Sequence, residues 1–81
     1  MDELRRFQEM TPFSYKGSIF SAALYYKGNS DLVHSWDLYM GRLNISKMPE
    51  IDRLAKGITD EDMELLNRRV KSYVDFKEGR R

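Results

Sequence analysis

Residues 13–30 read FSYKGSIFSAALYYKGNS, and the fold class depends on how this stretch is interpreted. Its alanine pair, Ala22-Ala23, favours a helix over residues 19–27, because alanine has the highest helix propensity. Ser18 and Gly28 suit the two ends of such a helix, as N-cap and C′ residue. We therefore predict a helix in this segment.

The same residues, 13–30, are also compatible with a β-hairpin. Phe13-Ser14-Tyr15 would pair with Ser18-Ile19-Phe20 across a turn at Lys16-Gly17. The tyrosine pair Tyr25-Tyr26 would then belong to a strand, since aromatic residues are enriched in strands. This alternative gives an α+β fold with a short N-terminal hairpin within residues 13–26, packed by the C-terminal helices.

The segments on either side follow helical patterns. Residues 2–10, DELRRFQEM, predict a short helix that ends before Pro12, because a residue that precedes proline disfavours helical geometry. Residues 31–43 predict a second helix, since apolar side chains recur there at the spacing of one helical face, at Leu32, Trp36, Tyr39 and Leu43.

The C-terminal half carries the clearest helix signals. After a linker over residues 44–47, Ser46 can cap a helix that Lys56-Gly57 closes. The last helix should begin at the N-cap Thr59, with an acidic first turn that suits the helix dipole. Residues spaced by three and four form an a/d-like stripe along it, at Met63, Leu66, Val70, Tyr73 and Lys77.

These patterns together predict a mostly α fold, a small bundle of four to five short helices. We expect one small domain over residues 1–81, with residues 78–81 as a frayed tail. The predicted core consists of Leu4, Phe7, Ile19, Leu24, Trp36, Leu43, Leu54, Leu66 and Val70. A core of this size stabilises a fold only modestly, which favours self-association or binding to a larger partner.

Composition excludes several kinds of chemistry. The chain has no Cys, so thiol catalysis, disulfides and Cys-based metal sites are excluded. It has one His, so two-histidine zinc and iron sites are excluded as well. No nucleophile, base and electrophile converge in the pattern. We therefore predict no catalytic residue, no metal ligand, no cofactor and no enzymatic activity.

Aromatic residues are concentrated in residues 13–39, which hold seven of the chain's ten. A domain of 81 residues needs most of these rings for its core, yet some should remain exposed. Tyrosine and tryptophan at a surface are typical of protein interfaces. We predict a self-associating adaptor, inhibitor or other regulator, of the kind that phages and mobile elements also encode, with an interface of Tyr25, Tyr26, Trp36, Tyr39, Tyr73, Phe76, Arg68 and Arg69.

Two alternative functions stay open. The basic C-terminal end could bind nucleic acid through Arg68, Arg69, Lys71, Lys77, Arg80 and Arg81. The formal net charge is only +1, however, so this is the weaker expectation. The aromatic residues of segment 13–39, which we call the aromatic band, could instead form a small-molecule or nucleotide sensor around His34. No stretch is apolar enough to span a bilayer, and we expect a cytoplasmic protein without a membrane partner.

Overall fold

A computed structural model describes residues 4–79, and for residues 4–6 it describes the backbone alone. The chain divides into two compact units, Met1–Ser46 and Lys47–Arg81. Within the described residues the first unit is an antiparallel sheet and the second contains two helices. The predicted helical bundle is therefore wrong. The strands are β1 (Leu4–Glu9), β2 (Phe13–Tyr15), β3 (Ser18–Lys27), β4 (Val33–Met40) and β5 (Leu43–Asn44), and the helices are α1 (Glu50–Ala55) and α2 (Asp60–Lys77).

The three helices predicted for the N-terminal half are strands. β1 replaces the helix over residues 2–10, β3 that over 19–27 and β4 that over 31–43. Helix propensity is a weak local preference, and the cross-strand pairs of a sheet override it. The alanines that favoured a helix lie in the middle of β3, where Ala22 pairs with Leu38 and Ala23 pairs with Asp37.

β3 is the central strand of the sheet. The strand order is β1-β3-β4-β5, and β2 also pairs with β3, on the side of β1. All of these pairings are antiparallel. Because β3 has neighbours on both sides, its register fixes the positions of β1, β2 and β4, and β5 is placed by its pairing with β4.

The β2–β3 hairpin has the pairing of the alternative described above. Phe13 lies opposite Phe20 and Tyr15 opposite Ser18 across Lys16-Gly17. Both turn residues have positive φ, 49° and 81°, which is the geometry of a type I′ turn. The twist of this turn matches the twist of the two strands that it joins.

A β-bulge separates β1 from β2. The N–H of Met10 still donates to the carbonyl of Ala22 at 2.8 Å, and the pairing resumes at Phe13 opposite Phe20. Thr11 and Pro12 therefore face the single residue Ser21. Proline has no N–H for the ladder, so a bulge at the sheet edge is a position that accepts it.

The alternation of β3 sends its side chains to two different faces. Phe20, Ala22, Leu24 and Tyr26 are buried on one side, which we call the core face. Leu38 of β4 lies on the same side and is also buried. The intervening residues of β3 lie on the opposite side, which we call the open face.

α2 begins as the sequence predicts. The hydroxyl of Thr59 accepts a hydrogen bond from the Asp62 N–H (3.1 Å), and the Asp62 carboxylate accepts one from the Thr59 N–H (3.0 Å). This capping box satisfies two backbone donors that a helix start otherwise leaves unpaired. It also explains why Asp62, although charged, is buried.

α1 differs from the prediction at its start and agrees at its end. Its N-cap is Pro49, and no side chain caps it. The hydroxyl of Ser46 instead accepts a hydrogen bond from the Leu38 N–H at 2.7 Å. At the other end Gly57 has φ 80°, and the N–H of Ile58 bonds to the Arg53 carbonyl, which is the Schellman arrangement.

The buried face of α2 lies partly where the stripe predicts. Leu66 and Val70 are buried as expected, but the next buried residue is Val74, while Tyr73 is half-buried. Among the other predicted core residues Leu24 is buried and Trp36 is half-buried, and the Leu4 side chain lies outside the described part. The remaining four are exposed: Phe7, Ile19, Leu43 and Leu54.

Thr59→Ala should destabilise the protein by about 1 kcal/mol, because it leaves the Asp62 N–H without its acceptor. Thr59→Ser keeps the hydroxyl and is the matched control. Urea unfolding followed by far-ultraviolet circular dichroism measures both. Equal stabilities of the two variants would contradict the role of the capping box.

Gly17→Ala should cost about 1 kcal/mol, because alanine is strained at positive φ. Gly17→Asn should cost less, since asparagine tolerates this conformation. A helical N-terminal half would give the opposite result, because alanine has the higher helix propensity. Thermal unfolding of the three proteins distinguishes the two cases.

Candidate binding site on the open sheet face

The open face presents an aromatic pair at its β1 edge. Phe7 lies directly opposite Tyr25, and their ring centroids are 6.1 Å apart with the planes tilted by 48°. Phe7 is 63% exposed, and Tyr25 is half-buried. An apolar ring that is this exposed on a sheet contributes little to folding, so its surface is available for a partner.

A hydrogen-bonded cluster continues from this pair across the sheet. The Tyr25 hydroxyl donates to Asp37 Oδ2 at 3.4 Å. The Asn44 side-chain amide donates to the same oxygen at 3.1 Å. These two donors come from β3 and β5 and hold the carboxylate of β4 in place between them.

Small residues form a depression beside this cluster. Ser21 and Ala23 of β3 lie between the larger side chains of the neighbouring strands, because Ser21 pairs with Tyr39, and Ala23 pairs with Glu9 on one side and Asp37 on the other. The resulting cleft has a volume of about 240 Å³. Its lining residues are Glu9, Ser21, Ala22, Ala23, Tyr39, Gly41 and Arg42.

The open face carries two carboxylates that have no cationic partner in the described part of the chain. Glu9 is exposed and Asp37 is half-buried. The ion pairs formed by the described side chains are Arg53–Asp60, Arg68–Glu64 and Lys71–Asp75, all of them in the helical unit. Of these two acids only Glu9 lines the depression, together with the cation Arg42, and Asp37 is not among its lining residues.

Tyr25 is electrostatically altered by this arrangement. Burial raises its pKa above the ordinary tyrosine value, and the nearby Asp37 carboxylate and Tyr39 raise it further. Each of these disfavours the negatively charged phenolate. Tyr25 is therefore a protonated hydrogen-bond donor at neutral pH, and not a base.

The structure separates the tyrosines that the sequence placed in one interface. Tyr25 and Tyr39 lie on the open face, within the site. Tyr26 is only 2% exposed on the core face, and its hydroxyl donates to Gln8 Oε1 at 3.3 Å. Trp36 is half-buried and pairs with Leu24, also on the core-face side. Adjacent residues of a strand point to opposite faces, so Tyr25 and Tyr26 cannot act together.

The remaining predicted interface residues belong to α2. Phe76 is 83% exposed and Tyr73 is half-buried, and Arg68 and Arg69 are exposed. Of the predicted nucleic-acid residues, Arg68 pairs with Glu64 at 3.2 Å and Lys71 with Asp75 at 3.0 Å. Lys77 lies in the last turn of α2, and Arg80 and Arg81 lie outside the described residues. The nucleic-acid alternative remains a prediction, to be tested by the salt dependence of binding.

The aromatic band does not form one pocket around His34. Phe13 and Tyr15 lie against the ring of Phe20, at centroid distances of 6.3 and 5.9 Å. The ring of Phe20 is buried, whereas His34 is exposed. In the described residues, no three side chains of the metal-ligating types come close enough to hold an ion. The two helices of the described chain are too short or too polar to cross a bilayer.

Sequence reasoning missed Glu9, Asp37 and Asn44 as site residues. The available signal is the alternation of residues 35–40, SWDLYM, in which Trp36, Leu38 and Met40 share one face of a strand. This alternation places Asp37 and Tyr39 together on the other face.

Asp37→Asn should lower the pKa of Tyr25 towards the ordinary value without restoring it, because burial still acts. NMR titration of ring-labelled tyrosines measures this, with Tyr25→Phe for assignment and Asp52→Asn as control. In the wild-type protein the free energy of unfolding should decline above about pH 10, since the unfolded chain ionises before the folded one. An unchanged Tyr25 titration in Asp37→Asn would contradict the coupling.

No family model, no curated protein and no solved structure matches this chain.

Proposed function

We propose that this chain is a small, non-enzymatic protein-binding protein that acts through the open face of its sheet, with a second copy or another protein as partner. One observation carries the proposal. The exposed ring of Phe7 packs on Tyr25 beside two carboxylates that no cation of the described residues neutralises. A surface that combines exposed aromatic area with fixed polar groups has the composition of a binding hot spot.

The rigidity of the site supports binding. Asp37 accepts from two donors, and the β3–β4 ladder beneath it keeps a regular register from Phe20 opposite Met40 to Tyr25 opposite Ser35. A site on paired strands loses little conformational entropy when a partner binds, so more of the contact energy contributes to affinity. Regulators and inhibitors that act by occupying a surface need this property.

The chemistry of the site favours binding over catalysis. The hydroxyl of Tyr25, whose pKa is raised, donates a hydrogen bond to the carboxylate of Asp37. A nucleophilic or general-base tyrosine requires the opposite shift, towards a lower pKa. The pair therefore serves to fix the carboxylate, and we propose no reaction for it.

Phe7→Ser, Tyr25→Ser and Tyr39→Ser should each weaken association by roughly tenfold or more, because truncating an aromatic hot-spot residue commonly has an effect of this size. Light scattering coupled to size-exclusion chromatography measures self-association, and capture from an extract of the source cells measures other partners. Phe76→Ser is the matched control, since it removes an equally exposed ring from α2.

Circular dichroism must show that each variant is folded. The proposal is wrong if the three folded variants of the open face associate and capture as the wild type does. It is also wrong if Phe76→Ser alone abolishes association.

A further inference from the structure

We propose that two copies of this chain pair along their β1 strands, antiparallel and about a two-fold axis at Phe7, so that their sheets become one. This inference rests on the proposed function and names a second copy as the partner. It follows from the backbone groups of β1, the exposure of its side chains and the order of its charges.

The outer side of β1 carries backbone groups that no described strand bonds. β1 is the first strand in the order β1-β3-β4-β5, and β3 is its neighbour among the described strands. The N–H of Met10 donates to the Ala22 carbonyl, so the backbone groups of Met10 point towards β3. Such groups point to alternate sides along a strand. Those of Phe7 and Glu9 therefore point away from the sheet, where a further strand can bond to them.

The side chains along this edge are accessible on both faces of the sheet. Phe7, Gln8 and Glu9 are all exposed, although Gln8 lies on the core-face side and its two neighbours lie on the open face. An exposed edge strand with free backbone groups is a template for pairing with another chain.

The residue order of β1 is complementary to itself. Positions 5, 7 and 9 are Arg, Phe and Glu. When two such strands run antiparallel with Phe7 opposite Phe7, Arg5 of each copy lies opposite Glu9 of the other. Opposite charges at directly facing positions stabilise a strand pair, and like charges destabilise it. A register shifted by two residues places Phe7 opposite Glu9 and loses both charge pairs.

The two-fold axis also brings the exposed rings together. This axis is perpendicular to the joined sheet, so the open faces of both copies lie on the same side. Phe7, which is 63% exposed in one copy, meets Phe7 of the second copy while it keeps its contact with Tyr25. Burial of the Phe7 rings offsets part of the entropy that association costs. A continuous row of rings, Tyr25 and Phe7 from each copy, then crosses the dimer.

A second copy fits this edge better than an unrelated strand does. An unrelated strand would need an acid, an aromatic ring and a base at the spacing that β1 itself supplies in reverse. A two-fold pair is also closed, because each copy contributes its β1 edge to the same interface. One contact thus covers both exposed edges.

Exchange of the two charges tests the pairing and its register. Glu9→Arg and Arg5→Glu should each weaken dimerisation by roughly tenfold, because the two-fold axis turns each reversal into two like-charge contacts. The double variant Arg5→Glu/Glu9→Arg restores the opposite pairs and should return the dissociation constant to within about threefold of the wild type. Sedimentation equilibrium of the full chain at low salt measures all four proteins.

The matched control is Asp52→Arg. It changes the net charge as Glu9→Arg does, but it lies in α1, so dimerisation should be unchanged. Circular dichroism must show that each charge variant is folded.

A cross-link keeps the test decisive if a charge variant fails to fold. The chain has no Cys, so Phe7→Cys introduces a single thiol at the two-fold axis. The Cα atoms of a hydrogen-bonded antiparallel pair are about 5.5 Å apart, a separation that a disulfide can span. With a mild oxidant Phe7→Cys should form a covalent dimer. Ile19→Cys should stay monomeric, because Ile19 is similarly exposed (54%) but pairs with Ser14 away from β1.

Three results would overturn the inference: a wild type that stays monomeric at millimolar concentration, a double charge variant that is no better than the single ones, or equal cross-linking of Phe7→Cys and Ile19→Cys. The proposed function fails separately. If the wild type is monomeric but Phe7→Ser and Tyr25→Ser lose a captured protein, the open face binds another partner and only the inference is wrong. If the charge exchange restores the dimer while the three serine variants of the open face associate as the wild type does, the edge pairing stands and the proposed function is wrong.

Discussion

The central position of β3 is the constraint on which the rest of the sheet depends. Ser18–Lys27 pairs with β1 and β2 along one side and with β4 along the other. A strand with two partners cannot shift its register by one residue without reversing both of its faces. The register therefore assigns each side chain of β3 to one face. Even-numbered residues lie on the core face, and odd-numbered residues lie on the open face.

This assignment explains how so short a chain keeps aromatic residues for binding. Tyr26 and Phe20 are buried on the core face, where they contribute to stability. Tyr25 lies on the open face beside Asp37, where it orients a carboxylate. Residues that are adjacent in the sequence thus have separate physical roles. Substitutions at Tyr25 should act on binding, and those at Tyr26 on folding.

The C-terminal half could be predicted because its signals are local. The Thr59 cap, the acidic first turn and the Lys56-Gly57 stop act within a few residues of one another. The N-terminal half depends on pairings between distant residues, such as Glu9 with Ala23. In β3 both faces carry apolar residues, so the alternation typical of a half-exposed strand is hidden, and Ala22-Ala23 then favours a helix. The site residues Glu9, Asp37 and Asn44 come together only through this sheet.

The bulge at Thr11 and Pro12 affects the behaviour of the protein in concentrated solution. An uninterrupted edge from Leu4 to Tyr15 would offer a long row of free backbone groups to another molecule, which is how sheets grow into fibrils. The bulge breaks this row, and Pro12 removes one of its donors. Both edge segments, β1 and β2, are thereby kept short. The chain can thus present exposed rings on the face of its sheet while its edge resists open-ended polymerisation.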